Sequence, residues 1–240
     1  MISLSDIDEK RFGIPSARAD DVEVGDLDGI DSFCREKGVR FLIARCGIDR
    51  LDVAQAMEER DFRLMDTLIY CKFDFAKKTP LPPLKQDIYI IRDIKAGEEH
   101  ALRDMATEIF HDYQSGHYHA DPLLDRAKCN EVYPDWAYNS CLFKQAADKV
   151  LVAESQKQLV GFITVKNKGE IVLNGVLPAF QKKGIYADLL THALHALQPL
   201  AKHVVVSTQL SNFAPQKIWA RLGFEPHEAM YTFHKWYEPA

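Results

Sequence analysis

The 240-residue sequence predicts an α/β protein with a small N-terminal unit and a larger C-terminal part. Three observations carry this. Apolar residues switch repeatedly between a two-residue and a three-to-four-residue period, which alternates strands with helices. A proline-rich stretch, Lys77 to Lys85, divides the chain. One stretch, Ile171 to Leu190, reads as strand, short loop and helix, and the loop Gln181-Lys182-Lys183-Gly184 is built for a ligand. Two lysines just before a helix start, with a glycine that lets backbone approach closely, make a phosphate site from free N–H groups and positive charge.

Composition bounds the rest. Hydrophobic residues make up 47%, so the chain is globular and has ample material for a core. A net charge of −5 argues against nucleic acid as the main partner. The five cysteines, at 34, 46, 71, 129 and 141, have no metal-ligand spacing, which suggests reduced thiols in a cytoplasmic protein. The first ten residues are too polar for a signal peptide, and no apolar run reaches membrane-spanning length, so no membrane association is expected.

Residues 1–76 read as a small α/β unit. Val39 to Arg45 is a buried strand, Asp49 to Arg60 a helix with Asp49 as its cap, and Thr67 to Phe75 an alternating strand. Residues 77–85 form a stiff extended linker because of Pro80, Pro82 and Pro83. Residues 86–240 then follow in order. Ile88 to Arg92 is a strand, Ala96 to Phe110 a helix, and Asp112 to Asp121 a polar, aromatic loop. Pro122 to Phe143 is helical with a break at Pro134; Lys149–Glu154 and Gln158–Val165 form a hairpin. After the strand and helix of the 171–190 stretch come a strand at His203 to Thr208 and a helix from Phe213 to Leu222, stopped by Gly223. A last strand runs from Glu228 to Tyr237. One echo stands out: Met57 to Phe62 and Ala220 to Phe224 are each a helix end, a turn and a Phe, then a strand. Either the first unit is a degenerate copy of the second half of the larger one, or a common local pattern recurs by chance.

The run Val176-x-Pro178-x-x-Gln181-x-x-Gly184, between strand and helix, resembles the acyl-CoA-binding motif of the GNAT N-acyltransferase superfamily. Tyr186 stands where that motif has its second Gly or Ala. The order β-α-α-β-β-β-α-β-α-β over 86–240 is likewise that of the GNAT fold, a mixed, mostly antiparallel sheet flanked by helices. The resemblance implies that Gln181, Lys182, Lys183, Gly184, Ile185 and Tyr186 hold the coenzyme. It implies too that the backbone N–H of Val176 polarises the thioester carbonyl. Asn174, on the same strand, is a candidate for holding a water or the acceptor, or is a buried structural amide.

Ser207 to Asn212, leading into a helix that ends in Gly223-Phe224, resembles the TDP-fucosamine branch, which acylates amines of nucleotide-linked sugars. The early Arg11-Phe12-Gly13 is similar to that branch as well. The resemblance places Gln209 and Asn212 against the coenzyme, although Asn212 also suits a helix cap. Trp219 occupies the place of a tyrosine that protonates the departing thiolate. An indole N–H has no such acidity, so either the thiolate leaves unaided or Tyr186 or Tyr231 serves instead, or Trp219 is plain core.

Between the first two helices of the larger part lies Ser115-Gly-His-Tyr-His-Ala-Asp-Pro122. His117, Tyr118, His119 and Asp121 are candidates for the acceptor site, with His119 as a base of suitable acidity; solvated loop residues are the plainer alternative. Tyr133 and Trp136, with Tyr138, would line that pocket or belong to the core. His117-x-His119 has no third ligand, so no metal is expected. Together the resemblance implies transfer of an acyl group from acyl-CoA, either acetyl-CoA or hydroxybutanoyl-CoA, to the amine of a dTDP-linked amino-dideoxy sugar. The product would feed a surface polysaccharide, and the enzyme would be a homodimer. Other small-molecule or protein amines, or a non-catalytic acyl-CoA sensor, remain open alternatives.

Overall fold

The computed structural model describes residues 1–78, 80–85, 89–111 and 113–238. Thr79 of the expected linker, Ile88 of the expected strand, Asp112 of the expected loop and the last two residues lie outside them. The chain runs β1 (Ile2–Leu4), α1 (Asp6–Phe12), β2 (Ser16–Ala19), α2 (Leu27–Glu36), β3 (Phe41–Gly47), α3 (Leu51–Glu58) and β4 (Arg63–Asp74). It continues with β5 (Ile90–Asp93), α4 (Glu99–Phe110), α5 (His117–Ala120), α6 (Arg126–Asn130), α7 (Val132–Leu142), β6 (Lys149–Ser155), β7 (Gln158–Lys166) and β8 (Glu170–Val176). Then come α8 (Ile185–Leu197), β9 (His203–Gln209), α9 (Phe213–Leu222) and β10 (Glu225–Trp236).

All ten strands form one sheet in the order β1-β2-β3-β10-β4-β9-β8-β7-β6-β5. The two sides of the 77–85 connection are therefore joined by backbone hydrogen bonds. β4, from the N-terminal side, lies antiparallel between β9 and β10. β10, from the C-terminal side, lies antiparallel between β3 and β4. The strand–helix–strand echo of the sequence thus has a reciprocal topology: β3-α3-β4 and β9-α9-β10 each place their second strand inside the other. Parallel pairs, β2 with β3 and β8 with β9, flank this central group.

Strand alternation separates the cores. Leu42, Ala44 and Cys46 of β3 face α2 and α3, burying Ile30, Cys34, Val53 and Met57. Phe41 and Ile43 face the other way and pack with Phe12, Tyr118, Leu124 and Cys129. The largest core lies around β6 to β9, with Leu102, Met105 and Ala106 of α4 and Leu189, Leu190, Ala193 and Leu194 of α8. The five cysteines are unpaired, four of them buried.

Several elements depart from the sequence expectations. The N-terminal side also contains β1, α1, β2 and α2; β1 and β2, at three and four residues, are too short to show a period. Helix α3 starts at Leu51, and its cap is Arg50 rather than Asp49. The expected helix over 122–143 is two, α6 and α7, and they break at Glu131. Pro134 sits in the first turn of α7, where a missing N–H costs nothing. Part of the expected 112–121 loop is the buried turn α5.

Because β4 supplies the neighbour of both β9 and β10, a fragment of residues 86–240 lacks the centre of its sheet. Expressed alone, it is expected to show no cooperative unfolding transition. Co-expression with residues 1–85 is expected to restore one, as followed by circular dichroism in urea.

Candidate active site

Strands β8 and β9 pair in parallel only at Glu170–Val205 and Ile171–Val206. Beyond these two positions they part, and a cleft opens toward their C-terminal ends. The other parallel pair, β2 with β3, holds four successive register positions and leaves no such opening. On its other edge β8 remains bonded to β7, where Leu177 N–H donates to the Val160 carbonyl at 2.9 Å. Successive peptide groups of a strand face opposite edges. The N–H and carbonyl of Val176 therefore face the cleft, where Gln181 Nε2 donates to the Val176 oxygen at 3.3 Å.

The loop beyond Val176 is shaped by two left-handed residues, Lys182 at φ 62° and Gly184 at φ 87°. Gln181, Lys182, Lys183 and Gly184 are exposed, while Ile185 anchors the start of α8 in the core. Lys183 Nζ rests 4.7 Å above the Phe180 ring. The first amides of α8 have no intrahelical acceptor and, with the lysines, form a cradle for phosphate oxygens. Asp188, one turn in, is buried; the Tyr89 hydroxyl donates to it, and Lys85 lies 3.9 Å away. Sequence reasoning passed over this carboxylate because one Asp in a helix carries no periodic signal.

Three elements meet on the α8 side of the cleft through side chains. Trp219 Nε1 donates to the Tyr186 hydroxyl at 2.9 Å, and that hydroxyl donates to Asn174 Oδ1 at 2.9 Å. Trp219 is 1% exposed, so its N–H is committed inside the protein. Burial raises the pKa of the Tyr186 phenol well above its usual value. It keeps its proton, and that proton is held by Asn174. Tyr231 packs against the N-terminal core. Asn212 precedes α9 without capping it; its amide donates to Thr208 Oγ1 at 3.0 Å. Gln216, which no sequence pattern singles out, donates to the carbonyls of Gln209, Leu210 and Asn212 and pins the β9–α9 turn.

On the opposite face Gly175 lies under α4, where a Cβ would come 2.6 Å from Ile109 Cγ2. Gln209 is buried at the end of β9. Its Oε1 accepts from the Tyr113 hydroxyl and its Nε2 donates to Asp66 Oδ2 at 3.2 Å. Tyr113 meets Tyr133 edge-on at 5.4 Å, and Tyr133 stacks on Phe110 at 4.7 Å. Of the other aromatic residues of α7, Trp136 is 38% exposed and Tyr138 packs on His100.

The 117–121 run is tied into the N-terminal side, and all of it except Ala120 is buried. The Tyr118 hydroxyl donates to Asp8 Oδ1 at 2.6 Å and accepts from Arg18 Nη2 at 2.6 Å. His119 Nε2 pairs with Asn130 Oδ1 at 2.9 Å. Asp121 accepts from Trp236 Nε1 at 2.9 Å and from His234 Nδ1 at 2.8 Å; His234 Nε2 lies 2.8 Å from His117 Nδ1. A carboxylate can only accept here, so His234 carries its proton on Nδ1 and presents a bare Nε2. His117 then donates from Nδ1 and keeps a lone pair on Nε2, which has no partner among the described residues. Burial, then His234 and nearby Arg45 and Arg18, holds His117 well below the usual imidazole range. Burial also lowers His234, outweighing Asp121.

Both histidines are thus neutral when folded but protonate near pH 6.5 when unfolded. Their contribution to stability is present above that pH and falls as the pH drops through it. Each is expected to cost up to about 1.4 kcal/mol per pH unit below 6.5. Thermal melts between pH 7.5 and 5 check this, and His117→Gln is expected to reduce the slope.

With this geometry in view, the chain can be set beside known proteins. A family model described as acetyltransferase (GNAT) domain matches residues 125–235. The spore coat polysaccharide biosynthesis protein SpsD of Bacillus subtilis is 28% identical over 146 residues, which is 58% of this chain and 48% of that protein. The chain thus spans about half the length of this curated relative. A GCN5-related N-acetyltransferase from Sphaerobacter thermophilus has a similar structure, with a TM-score of 0.66 at 14% identity over 100% of this chain and 77% of that one. A tandem GNAT protein from the clavulanic acid biosynthesis pathway aligns with a TM-score of 0.62 at 15% identity, over 95% and 77% of the two chains. The fold is the GNAT fold. Among the described residues no helix is long and apolar enough to cross a membrane.

Proposed function

We propose that this chain, a GNAT-fold protein with a GNAT acetyltransferase domain at residues 125–235, transfers an acyl group from acyl-CoA to the primary amine of a nucleotide-linked amino-dideoxy sugar. The observation that carries the acyl-transfer step is the parting of β8 from β9 after two paired positions, which turns the Val176 N–H into an open cleft. That N–H is placed to bind the oxygen of the thioester carbonyl as it gains charge. The loop from Gln181 to Tyr186 receives the coenzyme's pyrophosphate on its backbone amides, with Lys182 and Lys183 adding charge. Gln209 and Asn212 mark the β9 side of the same cleft.

The amine nitrogen attacks the carbonyl carbon, the C–S bond breaks, and the electron pair leaves with sulfur. A free thiol has a pKa near 8.5, so the thiolate departs and takes up a proton from the attacking nitrogen or from solvent. Tyr186 contributes by position: it holds Asn174 on β8 and is held by Trp219 on α9. His119 is bonded to Asn130 through Nε2 and is assigned no proton step. His117, with its Nε2 lone pair, is assigned as a hydrogen-bond acceptor for the sugar, and Tyr133 as an aromatic wall of the same pocket.

The amino-sugar acceptor is supported by the likeness of the 207–224 run to the TDP-fucosamine branch, and by SpsD, a relative whose name places it in polysaccharide biosynthesis. Acetyl or hydroxybutanoyl is the proposed acyl group, and dTDP the nucleotide. We also assign residues 1–76 as a degenerate half of a GNAT fold joined by 77–85 to the GNAT part at 86–240. The reciprocal placement of β4 and β10 supports this. The protein is proposed to act in the cytoplasm as a homodimer.

Thiol release tests the function. dTDP-3-amino- and dTDP-4-amino-6-deoxyhexoses, with glucosamine and lysine as plain amines, are crossed with acetyl-CoA and 3-hydroxybutanoyl-CoA. Turnover is expected with one dTDP-amino sugar at least 100-fold above either plain amine. Equal turnover of glucosamine or lysine rejects the nucleotide sugar as acceptor, and no thiol release with any pair rejects acyl transfer to amines.

A further inference from the structure

We infer that Asp66 is the residue that receives the acceptor's ammonium group and takes its proton, so that the catalytic site is completed by the N-terminal side of the chain. The inference rests on the amine-acylation reading above and adds the group that reading lacks. A primary amine is largely an ammonium at neutral pH and cannot attack until one N–H proton is removed.

Asp66 lies on β4, the strand inserted between β9 and β10. Its Oδ1 is buried and has no hydrogen-bond partner among the described residues. Its Oδ2 accepts from Gln209 at the end of β9, one of the two strands that bound the cleft. Unpartnered buried carboxylate oxygens are costly and rare in native structures, and they persist where a ligand supplies the missing partner. No arginine or lysine among the described residues forms an ion pair with Asp66.

Local backbone shape gives a second, independent observation. After an earlier shift at Pro226/Glu228, the β4–β10 register runs regularly from Glu228–Tyr70 to Thr232–Asp66 and then jumps to Phe233–Leu64, leaving Met65 as an extra residue. A bulge beside a side chain re-aims it out of the regular alternation, and bulges concentrate next to active sites. The surroundings suit an amine. Tyr113 and Tyr133 feel the Asp66 charge, which helps to push both phenols above their usual values, after burial itself. Both phenols therefore stay protonated at neutral pH. An ammonium entering here meets one carboxylate and two aromatic side chains; the other charged or titratable groups facing Asp66 are Arg45 of β3, which donates to Thr232 Oγ1 at 3.3 Å in the register position next to Asp66, and His234 of β10.

The proton step balances within the pair. One N–H bond of the ammonium breaks and an O–H bond forms on Asp66 Oδ1. The charged pair becomes a neutral acid and a neutral amine, the favoured state where water is excluded. The freed lone pair attacks the thioester, and Asp66 returns its proton to solvent after product leaves.

The test compares the wild type with Asp66→Asn and Asp66→Glu, using whichever amine the acceptor panel shows to turn over fastest. Asn preserves size and the hydrogen bond from Gln209 but cannot take the proton. Asp66→Asn is expected to lower kcat/KM for the amine at least 100-fold, with acetyl-CoA affinity by calorimetry within twofold of wild type. It is also expected to remove one ionisation from the pH profile of kcat/KM, and Asp66→Glu to recover part of the rate. Amine turnover by Asp66→Asn within threefold of wild type, with an unchanged pH profile, overturns the inference while leaving acyl transfer intact. A wild type that releases no thiol with any amine overturns the reading itself, and this role for Asp66 with it.

Discussion

The structure depends on one exchange of strands. β4 leaves the N-terminal side to lie between β9 and β10, and β10 crosses back to lie between β3 and β4. Backbone pairing along these strands is antiparallel and, between β4 and β10, interrupted only by two register shifts, so neither side can satisfy its N–H and carbonyl groups without the other. The exchange also explains why a chain with an evident sequence boundary at the prolines has one sheet. It places Asp66 of β4 against Gln209 at the end of β9, where a C-terminal half folding by itself would present an unpaired strand edge.

The cleft is a consequence of a second constraint, the parallel pairing of β8 with β9. Two register positions hold the strands together, after which Gly175 under α4 and the Asn174–Tyr186–Trp219 chain on the other face hold β8 in place. A strand whose edge is freed in this way exposes its peptide groups without becoming mobile, because side chains on both faces fix it. The parallel pair on the other side of the sheet, β2 with β3, lacks this separation. The two sides therefore share a strand–helix–strand topology, while only the β8–β9 pair separates after two register positions.

The polar cluster on the α4 face shows how the exchange combines parts. Asp121 comes from the segment after α5, His234 and Trp236 from β10, and His117 from α5. Their hydrogen bonds attach the 117–121 segment to the sheet, while Arg18 and Asp8 clamp Tyr118 from the N-terminal side. His117, read from sequence as a loop residue, is held instead in a buried network with His234, and burial keeps these two neutral.

What the sequence determined by itself was local. Period and breakers placed most strands and helices of 86–240 within a few residues, though not the turn α5 or the break between α6 and α7, and Val176, Pro178, Gln181 and Gly184 marked the β8–α8 loop because a loop motif is a run of nearby residues. Local pattern also caught the echo between residues 57–62 and 220–224. Tertiary structure alone decided which strands are neighbours, because hydrogen bonding between strands carries no side-chain code. It decided that Trp219 serves Tyr186, that His119 faces Asn130, and that Asp66 stands beside Gln209, 143 positions away in the chain. A carboxylate between Met65 and Thr67 is an ordinary surface residue by pattern. Only a bulge and the burial of one oxygen set it apart, and both arise from the packing of distant segments.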